Sequence, residues 1–180
     1  EELELIETVL GNAHAAVAWF VPETQRVAEA DALFAVARER LFAAPDENRR
    51  ISWARAAVAA AQQPATVSQM LELVDNGTGI EGFELDQDMR WTLAAKQVAY
   101  GIPGGEERVA QESERDPSDR GRRATARASI AAPDADVKAR EWERFTRDRE
   151  ASLHMVGAAM GGFLWSHQAD LLEPYIERFM

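Results

Sequence analysis

The 180-residue chain contains no cysteine, which excludes a disulfide framework and any thiolate metal site. It has only three histidines, His14, His154 and His167. No two of them stand one helical turn apart, and the His-Glu-x-x-His signature of a zinc hydrolase is missing. All three read as surface or packing residues. No apolar run approaches the ~18 residues of a membrane span; the run at residues 56–61 is short and alanine-rich. Positive charge is scarce, with 20 Lys and Arg against 31 Asp and Glu and a net charge of -11. A phosphate backbone needs a basic face, so nucleic acid is not an expected partner. The opening Glu1-Glu2-Leu3-Glu4 is acidic where a secretory signal would be basic. No segment alternates with the period of a strand. These absences predict a cytoplasmic chain that is not bound to a membrane and has no catalytic, cofactor or metal site of its own.

What the chain does have is helical periodicity. Hydrophobic residues make up 46% of it, and Ala, Leu, Glu and Arg, all strong helix formers, dominate. Leu3, Ile6, Leu10, Ala13, Val17 and Phe20 recur at steps of three and four, and Pro22 ends the pattern. A second stripe runs from Val27 to Leu41 and closes at Pro45. Asp46 is placed to cap a third helix, with Ile51, Ala54, Val58 and Ala61 on one side. A fourth carries Val67, Leu71 and Val74 and stops at Asn76-Gly77. Asp86 or Asp88 opens a fifth, through Trp91 to Gly101. A sixth spans about residues 106–115. Ser118 or Asp119 caps a seventh through Ala131, an eighth holds Val137, Trp142 and Phe145, and a ninth runs from Leu153 to Phe163. A tenth begins near Ser166, with Pro174 suited to a fresh first turn. Short turns between such helices make antiparallel neighbours, and pairs of very roughly 30–40 residues have the size of helical repeats. The expected fold is all-α: helix pairs stacked as a HEAT/armadillo-like α-solenoid, one helical-repeat domain over residues 1–180.

Several motifs have both a functional and a structural reading. Gly77, Gly79 and Gly82 spell the dinucleotide fingerprint, but a helix precedes them where the motif requires a strand, so a plain flexible loop is expected. Arg120, Arg123 and Arg127 share one face of the seventh helix, beside Arg122. They form either a site for an anion such as a peptide carboxylate or a solvated face balanced by Glu112, Glu114, Asp116 and Asp119. The charged run from Lys138 to Glu150 reads as an exposed helix face with pairs such as Glu143–Arg147. Gly157, Gly161 and Gly162 read as a close helix crossing, and the five tryptophans as core.

Three segments together carry a family resemblance: Leu85-Asp86-Gln87-Asp88-Met89-Arg90-Trp91-Thr92-Leu93, Glu114-Arg115-Asp116-Pro117-Ser118-Asp119-Arg120-Gly121-Arg122-Arg123, and Gln168-Ala169-Asp170-Leu171-Leu172-Glu173-Pro174-Tyr175-Ile176-Glu177-Arg178-Phe179. In this order they resemble the C-terminal helical domain of the aminopeptidase N family of zinc metallopeptidases, in its actinobacterial form. The resemblance implies a non-catalytic wall or cover for an active-site chamber in an enzyme that removes N-terminal residues from peptides. It places the zinc, the His-Glu-x-x-His ligands and the Gly-Ala-Met-Glu-Asn segment in a catalytic domain absent from this sequence. The chain starts without Met and begins and ends inside helical pattern, so it is expected to be an excised piece of a larger C-terminal domain. Its implied partners are that catalytic domain and the peptide, which Arg120, Arg123 and Arg127 would contact. The interdomain face would be left exposed and open to dimerisation. The alternative is a free-standing helical-repeat scaffold that binds a protein partner.

Overall fold

A computed structural model of the chain describes residues 2–147 and 152–179. Among the described residues there are ten α-helices, one 3-10 turn and no strand. The all-α expectation therefore holds. Contacts cluster into two compact units, Glu1–Leu93 and Ala94–Met180, with the boundary inside the fifth helix.

The first unit holds α1 (Glu2–Trp19), α2 (Glu23–Ala43), α3 (Glu47–Ala60), α4 (Pro64–Asp75) and the start of α5 (Gln87–Ala99). Asp46 caps α3 as expected, its carboxylate accepting from the Arg49 amide at 2.9 Å. Asp86 does the same for the Met89 amide at 2.9 Å. The α2–α3 pairing is the tightest in this unit. It buries Ala30, Phe34, Ala37 and Leu41 of α2 against the alanine-rich face of α3. Arg49 reaches Glu2 at 2.6 Å, and Ser52 reaches Glu7 at 2.8 Å. The numbering climbs along both helices together, so α1 and α3 run parallel, and α2, joined to each by a short turn and packed against both, returns antiparallel. That alternation is consistent with stacked helix pairs.

The stripe predicted on α1 is only partly covered: Leu10 is buried, Leu3, Ile6, Ala13 and Val17 are half-buried, and Phe20 is exposed. A second apolar row, with Leu5, Val9 and Trp19, faces out. Trp19 is 80% exposed, which overturns the expectation that all five tryptophans are core. The helix carries apolar residues on two sides, and within this unit only one side has a partner.

The glycine-rich segment between α4 and α5 is not a slack loop. The Thr78 hydroxyl, 5% exposed, donates to the Phe83 carbonyl at 2.6 Å, and Phe83 and Leu85 are buried anchors. Gly77, Gly79 and Gly82 all have φ near +70°, a backbone region that side chains disfavour, and this alone accounts for their identity.

The second unit holds the end of α5, α6 (Gly105–Arg115), α7 (Asp119–Ser129), α8 (Ala135–Arg147), α9 (Leu153–Phe163), the 3-10 turn Ser166–Gln168 and α10 (Ala169–Phe179). Its aromatic core joins Trp142 to Tyr175 (centroids 5.1 Å apart), Tyr175 to Phe163 (5.2 Å) and Phe163 to Phe145 (5.7 Å). Pro174 lies inside α10 rather than opening a new helix, so the expected restart is not found.

A second correction concerns the charged run. Lys138, expected on a solvated face, is fully buried, and Glu141 is 8% exposed. The expected Glu143–Arg147 pair does form, at 2.8 Å. Glu150, the end of that run, lies outside the described residues. Lys138 is buried because helix ends converge on it. Its ammonium donates to the Ile130 carbonyl at the end of α7 and to the Phe163 carbonyl at the end of α9, both at 3.0 Å, and sits 5.3 Å from the Phe163 ring centre. Gln168 donates to Ala99 O, ending α5, and to Ala131 O, just past α7, both at 2.8 Å. Three alternate helices thus end along one edge, roughly 32 residues apart, close to a helical-repeat length. Their terminal carbonyls carry partial negative charge and need donors. One buried lysine and one buried glutamine supply them.

Candidate functional site

The arginine face is built by the corner before α7. Asp116 is 7% exposed and its carboxylate accepts from the Ser118 hydroxyl. The Ser118 oxygen in turn accepts the Gly121 amide at 3.1 Å, capping the helix. Gly121 presses on that corner: a Cβ there would lie 1.9 Å from the Asp116 carbonyl oxygen. The far end of α7 is fixed in the same way. A Cβ on Gly162 would lie 1.9 Å from the Arg127 carbonyl oxygen, so α9 crosses α7 at that residue's backbone.

Between these fixed ends, Arg120, Arg123 and Arg127 are all exposed on α7, as their spacing predicted. The acids expected to balance them have other partners as well. Glu112 is 2% exposed and pairs with Arg115 at 3.0 Å, Asp116 holds Ser118, and Asp119 pairs with Arg122. Neither Arg123 nor Arg127 makes an ion pair with any described residue. The Arg127 stem runs beside Gly161 of α9, its Nε 3.8 Å from where a Cβ would stand. Gly157, read from the sequence as part of the helix crossing, has nothing within 4 Å of such a position and makes no crossing. Two guanidinium groups are therefore free to meet a carboxylate in bidentate geometry.

The histidines do not converge. His14 lines a cleft between α1 and α3. His154 is exposed in the first turn of α9. His167 stacks on Tyr100 at 4.0 Å and bonds the Ala99 carbonyl at 2.9 Å. Burial beside this cluster pushes the Tyr100 hydroxyl up to about 12. Among the described residues, no three His, Asp or Glu side chains come together in a way that could hold a metal ion. Burial likewise pushes Lys96 down to about 7 and Lys138 down to about 8. Lys138 was missed as an organising residue because it sits in a charge-dense run. The only local signal is its place in the first turn of a helix that follows closely on another helix end.

A second surface is apolar. Trp142, Phe145, Met160, Phe163, Leu164 and Ile176 line a groove of about 320 Å³ over α8, α9 and α10, with Leu164 and Ile176 more than 60% exposed. No helix among the described residues is long and apolar enough to cross a membrane.

Over residues 1–180 the sequence matches the ERAP1-like C-terminal domain family. The chain belongs to that family. It is also 33% identical to Aminopeptidase N of Streptomyces lividans over 132 residues, which is 73% of this chain and 15% of that protein. The segments that carry the resemblance now have physical roles. Leu85 and Met89 are buried beside the Asp86 cap, the Asp116–Gly121 corner sets α7, and Gln168 and Tyr175 are buried at the carbonyl edge and in the aromatic core. Among the described residues of this ERAP1-like domain, no donor set fits a catalytic zinc.

Proposed function

We propose that this chain is part of the non-catalytic C-terminal helical domain of a zinc aminopeptidase, where it helps to wall the chamber in which peptides lose their N-terminal residues. Its partners in this reading are the catalytic domain of the same polypeptide, which carries the zinc, and the peptide. Family membership supports the placement. The exposed apolar row on α1 and the apolar groove over α8, α9 and α10 support a role among further protein surfaces rather than in isolation. One observation carries the peptide-facing role: Arg123 and Arg127 are exposed on a helix fixed at both ends, with no ion-pair partner among the described residues. The planar fork of arginine matches a carboxylate, and a peptide whose amino end sits at a distant zinc presents its carboxylate elsewhere on the chamber wall. Arg120 extends the same face.

The test is made in the full-length parent enzyme. Arg123→Glu is expected to lower kcat/KM for peptides of about nine residues by roughly tenfold, the worth of one charge-assisted contact, and to leave an aminoacyl reporter unchanged. An equal fall for both substrates, or no change in either, rejects the carboxylate role.

A further inference from the structure

The cleft between the parallel helices α1 and α3 has a chemistry separate from the arginine face. Its volume is about 350 Å³, and Glu7, Leu10, His14, Ser52, Arg55 and Ala56 line it. The floor is small and apolar, with Leu10 8% and Ala56 4% exposed. Two walls carry opposite charge. On α1, the Glu7 carboxylate is oriented by the hydroxyl of Ser52, itself 4% exposed, at 2.8 Å. Serine is a neutral donor, and α1 contains no Lys or Arg. Glu7 makes no ion pair with a described residue. On α3, Arg55 commits one nitrogen to Asp86 at 3.0 Å, and the remaining N–H groups of its fork stay available.

A ligand that satisfies both walls carries an ammonium and a carboxylate on one small frame. A dianion would set like charge against Glu7, and a dication would do so against Arg55. The volume lies at the low end of ligand pockets, about 300–1,000 Å³, which suits a ligand of about ten heavy atoms rather than a long peptide. The apolar floor favours an aliphatic side chain. We propose that this cleft binds a free aliphatic α-amino acid, with its ammonium on Glu7, its carboxylate on Arg55 and its side chain over Leu10 and Ala56. The site does not depend on the arginine face of α7.

Calorimetric titration of the full chain with L-leucine, L-leucinamide and 4-methylpentanoate tests this. The amide lacks the carboxylate and the acid lacks the ammonium. Leucine is expected to bind at least tenfold more tightly than either. Glu7→Gln should abolish the preference over 4-methylpentanoate, and Arg55→Met the preference over leucinamide. Both side chains project from helix surfaces, and unchanged helical circular dichroism confirms that each variant is folded. Equal binding of the three compounds, no leucine binding up to about 100 mM, or a preference that survives both substitutions overturns the proposal.

Discussion

Replacing Gly162 by alanine should drive apart the two helices that hold the arginine face. The added Cβ would meet the Arg127 carbonyl oxygen at 1.9 Å, its carbon at 2.8 Å and its Cα at 3.0 Å. All three are backbone atoms, so no side chain can rotate away, and one helix must shift by about 1 Å or more. Overpacking of this kind costs about 1–3 kcal/mol, against which alanine returns about 0.5–1 kcal/mol of helix propensity over glycine. Gly157 is the internal control. It lies in the same helix with nothing within 4 Å, so Gly157→Ala keeps the propensity gain and meets no obstacle. Urea unfolding of both variants should give opposite signs: a loss of about 1–2 kcal/mol for Gly162→Ala and a gain of about 0.5–1 kcal/mol for Gly157→Ala. If Gly162→Ala is neutral or stabilising, the α7–α9 crossing described above is wrong.

Two further outcomes follow from the same unit. Removing the α7 cap with Ser118→Ala should cost about 1 kcal/mol, which in a chain of 180 residues lowers Tm by roughly 2–4 °C. Thermal melts followed by circular dichroism check this, and an unchanged Tm would mean that the Gly121 amide does not depend on Ser118. Burial lowers Lys138 in the folded state to about 8, below the 10.5 it has when unfolded. Between those values the unfolded chain binds more protons, so stability rises with pH. Lys96 acts in the same direction from about 7, and Tyr100, pushed up to about 12, opposes both above pH 10. Unfolding free energy should therefore climb from pH 8 to 10, and Lys138→Met should flatten that climb. An identical profile in the variant refutes a buried, titrating Lys138.

The helices were legible in the sequence because their signals are local. Asp46, Ser118 and the Asn76-Gly77 stop act within a few residues of themselves, and the structure finds each where the pattern put it. Steps of three and four likewise sufficed to place Arg120, Arg123 and Arg127 on one face. Failures arose where the deciding partner lies far along the chain. Lys138 looked solvated because its neighbours are charged. Its carbonyl partners are the ends of two other helices, one of them 25 residues away. Gly157 and Gly162 are equivalent as letters, and only the crossing point of α7 tells them apart. Trp19 was assigned to the core because tryptophan usually is, yet α1 has apolar rows on two sides and a partner within its unit for only one. The balance of charge around the arginines could not be read either, since burial of Glu112 and Asp116 decides which acids remain available to them.

The most direct test of the peptide-facing role is to titrate the chain with one nine-residue peptide prepared both as the free acid and as the C-terminal amide, following binding by calorimetry. The free acid should bind about tenfold more tightly, a difference near 1.4 kcal/mol, and the gap should close in a variant carrying both Arg123→Glu and Arg127→Glu. Equal affinity of acid and amide for the unmodified chain, or a gap that persists in the double variant, would contradict the account.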